Sequence, residues 1–291
     1  MLCCGGPVVR AWTSSGSIAV TRPDLSPSGS VPLPIEAGWQ SLAVDAGPGV
    51  RPTDLRCWWA RPAADAGTWR GGVLVLPEVF GLNPWIRSVA GRLAGWGYGA
   101  LAVPLFARTA PMLDLSYGEA DLAEGRSHKD LTRSEELLAD VAAAGRWLQA
   151  QLAAPSPSGL GCVGFCFGGH VAVLASSLPL IAATASFYGA GMASGRPGGG
   201  PPTLGVLPDV PGRLLCFCGE RDPLIPRDDI DRLDAALRAA DGSGTRLRLI
   251  RVPEAGHGYM CEGRADHRPA AAAAGWQELS ALLRDGLIPP R

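Results

Sequence analysis

The chain has 291 residues and a formal net charge of −1. That length lets it bury one large core, and the near-neutral charge gives nucleic acid or an anionic membrane little to hold. Charges, Gly or Pro break every apolar run before it reaches the length of a spanning helix.

The opening Met1-Leu2-Cys3-Cys4-Gly5-Gly6-Pro7 lacks the charged-then-apolar pattern of an export signal, so a cytoplasmic location is expected. Residues 1–34 are rich in Pro, Gly and Ser with little apolar periodicity, and read as a flexible arm ahead of one domain at 35–291. Strand patterns follow at 41–45 and 55–60, joined by Gly47-Pro48-Gly49. The continuous apolar run at 72–76 has the character of a strand covered on both faces. Asn83 and Pro84 make a cap and first turn for a helix to about residue 95. A strand at 98–103, an irregular stretch at 105–129 and a long helix at 130–152 come next, the helix carrying Leu137, Leu138, Val141, Leu148 and Leu152 at helical spacing.

An elbow strand at 160–165 and a helix at 168–175 are followed by a strand at 180–187 and a Gly/Pro loop at 190–212. The last elements are strands at 214–218 and 247–252 and helices at 226–240 and 269–287. Strands alternating with helices over this length predict a single-domain α/β fold with a mostly parallel central sheet flanked by helices. In such sheets functional groups gather beyond the carboxyl ends of the strands. Of the eight cysteines, Cys162, Cys216 and Cys218 sit in apolar runs and read as reduced, buried thiols. Cys216 and Cys218 share one strand face, but two ligands do not make a zinc site, and no metal is expected.

Gly164-Phe165-Cys166-Phe167-Gly168, between a strand and a helix, has the form of a nucleophile elbow with a thiol in place of the usual hydroxyl. Asp222, in Gly219-Glu220-Arg221-Asp222-Pro223, and His257, in Ala255-Gly256-His257-Gly258-Tyr259, follow two later strands. Each alone has a plainer reading, Asp222 as a turn or cap residue and Cys166 as a buried thiol. Together, in the order nucleophile, acid, histidine, they match an α/β-hydrolase triad. Of the other histidines, His128 lies in a charged loop, His170 on the elbow helix out of reach, and His267 in a polar segment. His257 would move the thiol proton, with Asp222 fixing the imidazole's tautomer. Attack on a carbonyl would form a thioester that water hydrolyses. The oxyanion would rest on the Phe167 N–H and a donor from the loop after 72–76.

That loop, Pro77-Glu78-Val79-Phe80-Gly81-Leu82-Asn83, together with Pro104-Leu105-Phe106-Ala107-Arg108, the elbow, and the Asp222 and His257 turns, resembles the dienelactone hydrolase family from about residue 40 to 287. The resemblance implies an ester or lactone hydrolase, carboxymethylenebutenolidase-like, that needs no cofactor. It implies that Glu78 sits beside Cys166 and takes its proton when substrate arrives, and that the Val79 N–H completes the oxyanion hole. By resemblance Arg108 holds a substrate carboxylate, and Tyr259 joins it as a substrate-binding candidate. The family's second carboxylate-binding arginine, four residues past the histidine, is here Cys261, with Arg264 nearby but out of register. The expected partner is a small ester or lactone, a dienelactone-like enol-lactone above all, and the expected state a monomer. A redox-active thiol protein, an acyltransferase and a non-catalytic binder on the same scaffold are the alternatives.

Overall fold

The computed structural model describes residues 9–11, 31–44, 47, 49–64, 69–152 and 159–287. In chain order the strands are β1 (Val9–Ala11), β2 (Ile35–Val44), β3 (Thr53–Pro62), β4 (Gly72–Leu76), β5 (Gly99–Ala102), β6 (Leu160–Phe165), β7 (Ile181–Phe187), β8 (Arg213–Gly219) and β9 (Leu247–Val252). The helices are α1 (Pro84–Gly95), α2 (Glu119–Asp130), α3 (Ser134–Gln151), α4 (Phe167–Ala175), α5 (Arg227–Ala240) and α6 (Pro269–Leu287). One sheet runs in the order β1-β2-β3-β5-β4-β6-β7-β8-β9. It is antiparallel only where β3 meets β2 and β5, and parallel from β5 through β9. Among the described residues no helix is long and apolar enough to cross a membrane.

The apolar run of β4 is explained by its place in the sheet. Val73 and Val75 pack with the α1 residues Ile86, Val89 and Leu93, while Leu74 and Leu76 pack with the α3 residues Leu137, Val141 and Leu148. A strand buried on both faces cannot alternate polar with apolar residues. α1 begins as its sequence dictates: the Asn83 side chain accepts the Ile86 N–H at 3.1 Å, a cap worth about 1 kcal/mol, and Pro84 fills the first turn.

Most sequence-derived elements recur within a few residues, with two informative differences. The stretch read as irregular at 105–129 contains α2, and the helix read from 130 starts at Ser134. α2 has a single buried residue, Gly125, so no apolar stripe marks it. Its helical signals are Glu119 and Asp121 in the first turn and His128 and Lys129 in the last, which suit the helix dipole. Within the arm read at 1–34, Val9–Ala11 pairs parallel with β2, and Leu33 donates to the Gly95 carbonyl at 2.9 Å. The rest of that arm, 1–8 and 12–30, lies outside the described residues.

The strand order sets the site. After β4 the chain builds β5 on one side of it, then crosses to build β6 on the other. The carboxyl ends of β4 and β6 therefore meet at the point where the winding reverses, with Leu76 paired to Gly164. Glu78 leaves the first end and Cys166 the second, while Tyr188, Asp222 and His257 follow β7, β8 and β9 along the same rim.

Candidate active site

Cys166 sits at the cap of α4 with φ 53° and ψ −118°. A non-glycine residue in this region costs on the order of 1–3 kcal/mol, so its surroundings must hold it there. Its N–H donates to the Phe187 carbonyl at 3.0 Å and its carbonyl accepts from His170 at 3.1 Å. The flanking glycines allow the turn: a Cβ on Gly164 would collide with the Gly168 carbonyl, and one on Gly168 with the Leu76 and Pro77 carbonyls. Gly168 thus lets the start of α4 abut the exit of β4. The first-turn N–H of Phe167 and the N–H of Val79, in the turn beyond β4, are brought to the same end of the sheet.

Asp222 and His257 meet beside this elbow. The Asp222 N–H closes a turn on the Gly219 carbonyl at 3.2 Å, and its Oδ1 accepts from Leu224 N–H at 2.8 Å. Its Oδ2 lies 2.8 Å from His257 Nδ1, which makes Nδ1–H the donor and leaves Nε2 for the thiol side. A Cβ on Gly219 would strike the Ala255 carbonyl, so this glycine lets the two loops come together. The His257 ring is edge-on to Tyr188 at 5.2 Å. Tyr188 is itself fully buried with φ 41°. Burial pulls the His257 pKa down, but the Cys166 thiolate and Asp222 outweigh it and raise the group to about 10. The imidazolium is favoured wherever the thiolate exists.

Glu78 is fully buried and opens a turn in which Gly81 N–H donates to its carbonyl at 3.3 Å. Its Oε1 accepts from Arg264 Nη1 at 3.0 Å. Burial raises the carboxyl's pKa, opposed by Arg264, His257 and Tyr117. Arg264 reaches Glu78 because the segment after His257 runs back across the rim. Glu262 anchors it there, accepting from Trp85 Nε1 at 2.6 Å and Arg92 Nη2 at 2.9 Å on α1.

Known proteins of similar sequence and fold point to one family. The model of the dienelactone hydrolase family matches residues 57–287. The chain belongs to the dienelactone hydrolase family. A Synechocystis relative named "Putative carboxymethylenebutenolidase" is 37% identical over 215 residues, covering 74% of this chain and 86% of its own. A crystal structure named "Putative Dienelactone Hydrolase", from Klebsiella pneumoniae, superposes with a TM-score of 0.70 at 25% identity, covering 86% of this chain and 98% of its own. The dienelactone hydrolase of Anabaena variabilis shares the fold at a TM-score of 0.58 and 19% identity, over 86% of this chain and 99% of that one. Membership makes the chain a carboxylic ester hydrolase acting on small esters or lactones.

Two residues expected to touch substrate are engaged within the protein itself. Arg108 Nη1 and Nη2 donate to the two oxygens of buried Asp140 at 2.6 and 2.9 Å, and its Nε donates to the Arg51 carbonyl at 3.0 Å. The guanidinium fork is engaged by α3, where it ties the loop after β5 to the core. Arg108→Ala is therefore expected to cost about 3 kcal/mol of stability, because it leaves Asp140 buried without its cation. Burial already raises the Asp140 pKa, so the variant's deficit should shrink as pH falls and the carboxyl takes a proton. Urea melts at several pH values, with hydrolysis rates on acidic and neutral esters, check both points. A loss confined to acidic substrates, with stability intact, would contradict this role.

Tyr259 is fully buried and packs edge-on to Tyr188 at 5.4 Å. It braces the His257 wall from within the core. His170 is held by the Ala190 carbonyl at 2.8 Å and Thr203 Oγ1 at 2.6 Å, and burial lowers its pKa to about 4. It pins the 190–212 loop to the elbow helix. Sequence reasoning left Arg264 without a partner and missed Tyr117. The Tyr117–Cys261 and Arg264–Glu78 bonds each cross more than a hundred residues, and no local pattern marks them.

Proposed function

We propose that this hydrolase cleaves an enol-lactone or ester bearing one carboxylate, through a thioester on Cys166. The observation that carries the reading is the convergence of Cys166 in its elbow, the Asp222–His257 pair and the Glu78–Arg264 pair at one end of the sheet. A substrate carboxylate competes with Glu78 for Arg264, a guanidinium suited to bind it. Glu78, loosened from its cation in a low-dielectric pocket, is then a strong enough base to take the Cys166 proton. The thiolate attacks the acyl carbon, and the oxyanion is held by the N–H groups of Phe167 and Val79. The His257 imidazolium protonates the leaving enol oxygen as the C–O bond breaks, leaving the acyl group on sulfur. Neutral His257 next takes a proton from water, whose oxygen attacks the thioester. The thiolate leaves and recovers its proton from Glu78. A redox-thiol reading has no use for the Asp222–His257 pair.

The test of the substrate class is kcat/KM for dienelactone, a neutral lactone and a neutral aryl ester in wild type and Arg264→Ala. Loss of the cation should disturb Glu78 with every substrate, but cost roughly 10–100-fold more with the carboxylate-bearing one. Equal losses on all three would overturn the assignment of Arg264.

A further inference from the structure

Gly125 lies in the middle of α2 and is the one residue that this helix buries. Glycine is the poorest helix former after proline, because its backbone gives up the most freedom on ordering. Its backbone here is helical, so no special conformation calls for it. The reason is space. A Cβ on Gly125 would run into the Val79 carbonyl and press on the Val79 side chain.

That carbonyl belongs to the turn after β4, in which each successive peptide is held by a different neighbour. The peptide carrying the Val79 N–H is held at its other end, where the Glu78 carbonyl accepts from Gly81 N–H at 3.3 Å. The Val79 carbonyl, in the next peptide, meets Gly125. The Phe80 carbonyl accepts from Leu115 N–H at 2.9 Å, and Leu82 N–H donates to the Leu113 carbonyl at 3.0 Å. The first two peptides share the Val79 Cα, so a push on the carbonyl of one turns the N–H of the other. α2 also backs the opposite side of the elbow. The His128 ring lies 6.0 Å from that of Phe106, which is stacked on Phe167 at 5.8 Å. Leu122 packs on the core cluster that contains Val79, Phe80, Phe106 and Phe167.

We propose that Gly125 is a positioning residue: it lets α2 rest on the Val79 carbonyl and so sets the direction of the Val79 N–H. This role rests on the reading of Val79 N–H as a donor to the oxyanion. A donor bond weakens steeply as its angle departs from linear. The loss falls on the charged transition state more than on the neutral carbonyl, and therefore on kcat more than on KM.

The experiment measures kcat and KM on a neutral aryl ester, and Ki for a trifluoromethyl ketone carrying the same acyl group. The Cys166 thiolate adds to the ketone carbon, forming the S–C bond and moving the carbonyl pair to oxygen as an alkoxide. Gly125→Ala should lower kcat per active site by roughly 10–100-fold and raise Ki by a similar factor, with KM within about twofold of wild type. A merely structural glycine would lower the melting temperature and leave kcat per folded site and Ki unchanged. Replacing Val79 by its α-hydroxy analogue turns the amide between Glu78 and Val79 into an ester and removes only the N–H. That change should cost roughly 100-fold or more in kcat. If it does, and Gly125→Ala keeps wild-type kcat and Ki, the role of Gly125 is wrong and the Val79 reading stands. If the analogue loses nothing, the Val79 reading fails and takes the Gly125 role with it. Should Gly125→Ala not fold, Leu122→Ala, which loosens α2 without pressing on Val79, must change kcat and Ki in the same directions by less. No change there overturns the proposal equally.

Discussion

Cys166→Ala should lose roughly ten-thousand-fold or more of kcat on a simple aryl ester while still binding it. Removing the sulfur removes the covalent step itself, and neither neighbour can replace it. His257 is anchored through Nδ1 to Asp222, and its Nε2 is buried. Glu78 is fully buried behind its bond to Arg264. What remains of the proposed machinery is the pair of N–H groups assigned to the oxyanion, Phe167 and Val79, and backbone donors supply no nucleophile. Cys166→Ser tests a narrower point. A serine hydroxyl is a much weaker acid than a thiol, and a carboxylate base able to deprotonate a thiol does not hold a serine as alkoxide. The hydroxyl should therefore restore only a small part of the rate. Turnover in Cys166→Ala within tenfold of wild type would mean that the sulfur is not the nucleophile.

The second large effect is on the fold. Gly168→Ala is expected to cost more than about 4 kcal/mol and to leave little soluble protein. The added methyl would press into the Leu76 and Pro77 carbonyls, which are strand and turn backbone and cannot rotate aside. Relief would require α4 to move off β4, and that movement would separate the N–H groups of Phe167 and Val79. Any folded fraction should therefore show a lower kcat as well as a lower melting temperature. Gly242→Ala is the matched control, since its Cβ would meet nothing within 4 Å and its backbone is not in the left-handed region. It should change stability by less than about 0.5 kcal/mol. A Gly168→Ala variant as stable as Gly242→Ala would contradict the packing argument.

These residues show why some of the molecule could be read from its sequence and some could not. The elbow, the Asp222 turn and the His257 turn are each short loops at strand ends, so their chemistry is written in neighbouring residues. β4 and α1 were equally legible: one is apolar throughout because both its faces are covered, the other carries its cap in Asn83-Pro84. α2 was hidden because it buries almost nothing, so burial periodicity had no purchase on it. The ion pairs were hidden for another reason. Arg108 meets Asp140 from 32 residues away and Arg264 meets Glu78 from 186, and only the folded sheet brings each pair together. Resemblance pointed to Arg108 as the carboxylate clamp, and the structure gives its guanidinium to Asp140. The same structure turns Cys261 from a missing arginine into a donor on Tyr117.

The claim on which the rest depends is that acyl transfer passes through the Cys166 sulfur. Rapid quenching of the enzyme in acid during turnover of a slowly hydrolysed aryl ester, followed by intact-mass and peptide mass spectrometry, tests it directly. The account predicts a mass increase equal to the acyl group on the peptide containing Cys166, removed by hydroxylamine as a thioester is, and absent in Cys166→Ala. An acyl group carried by any other residue, or wild-type turnover with no acylated Cys166 at any quench time, would contradict it.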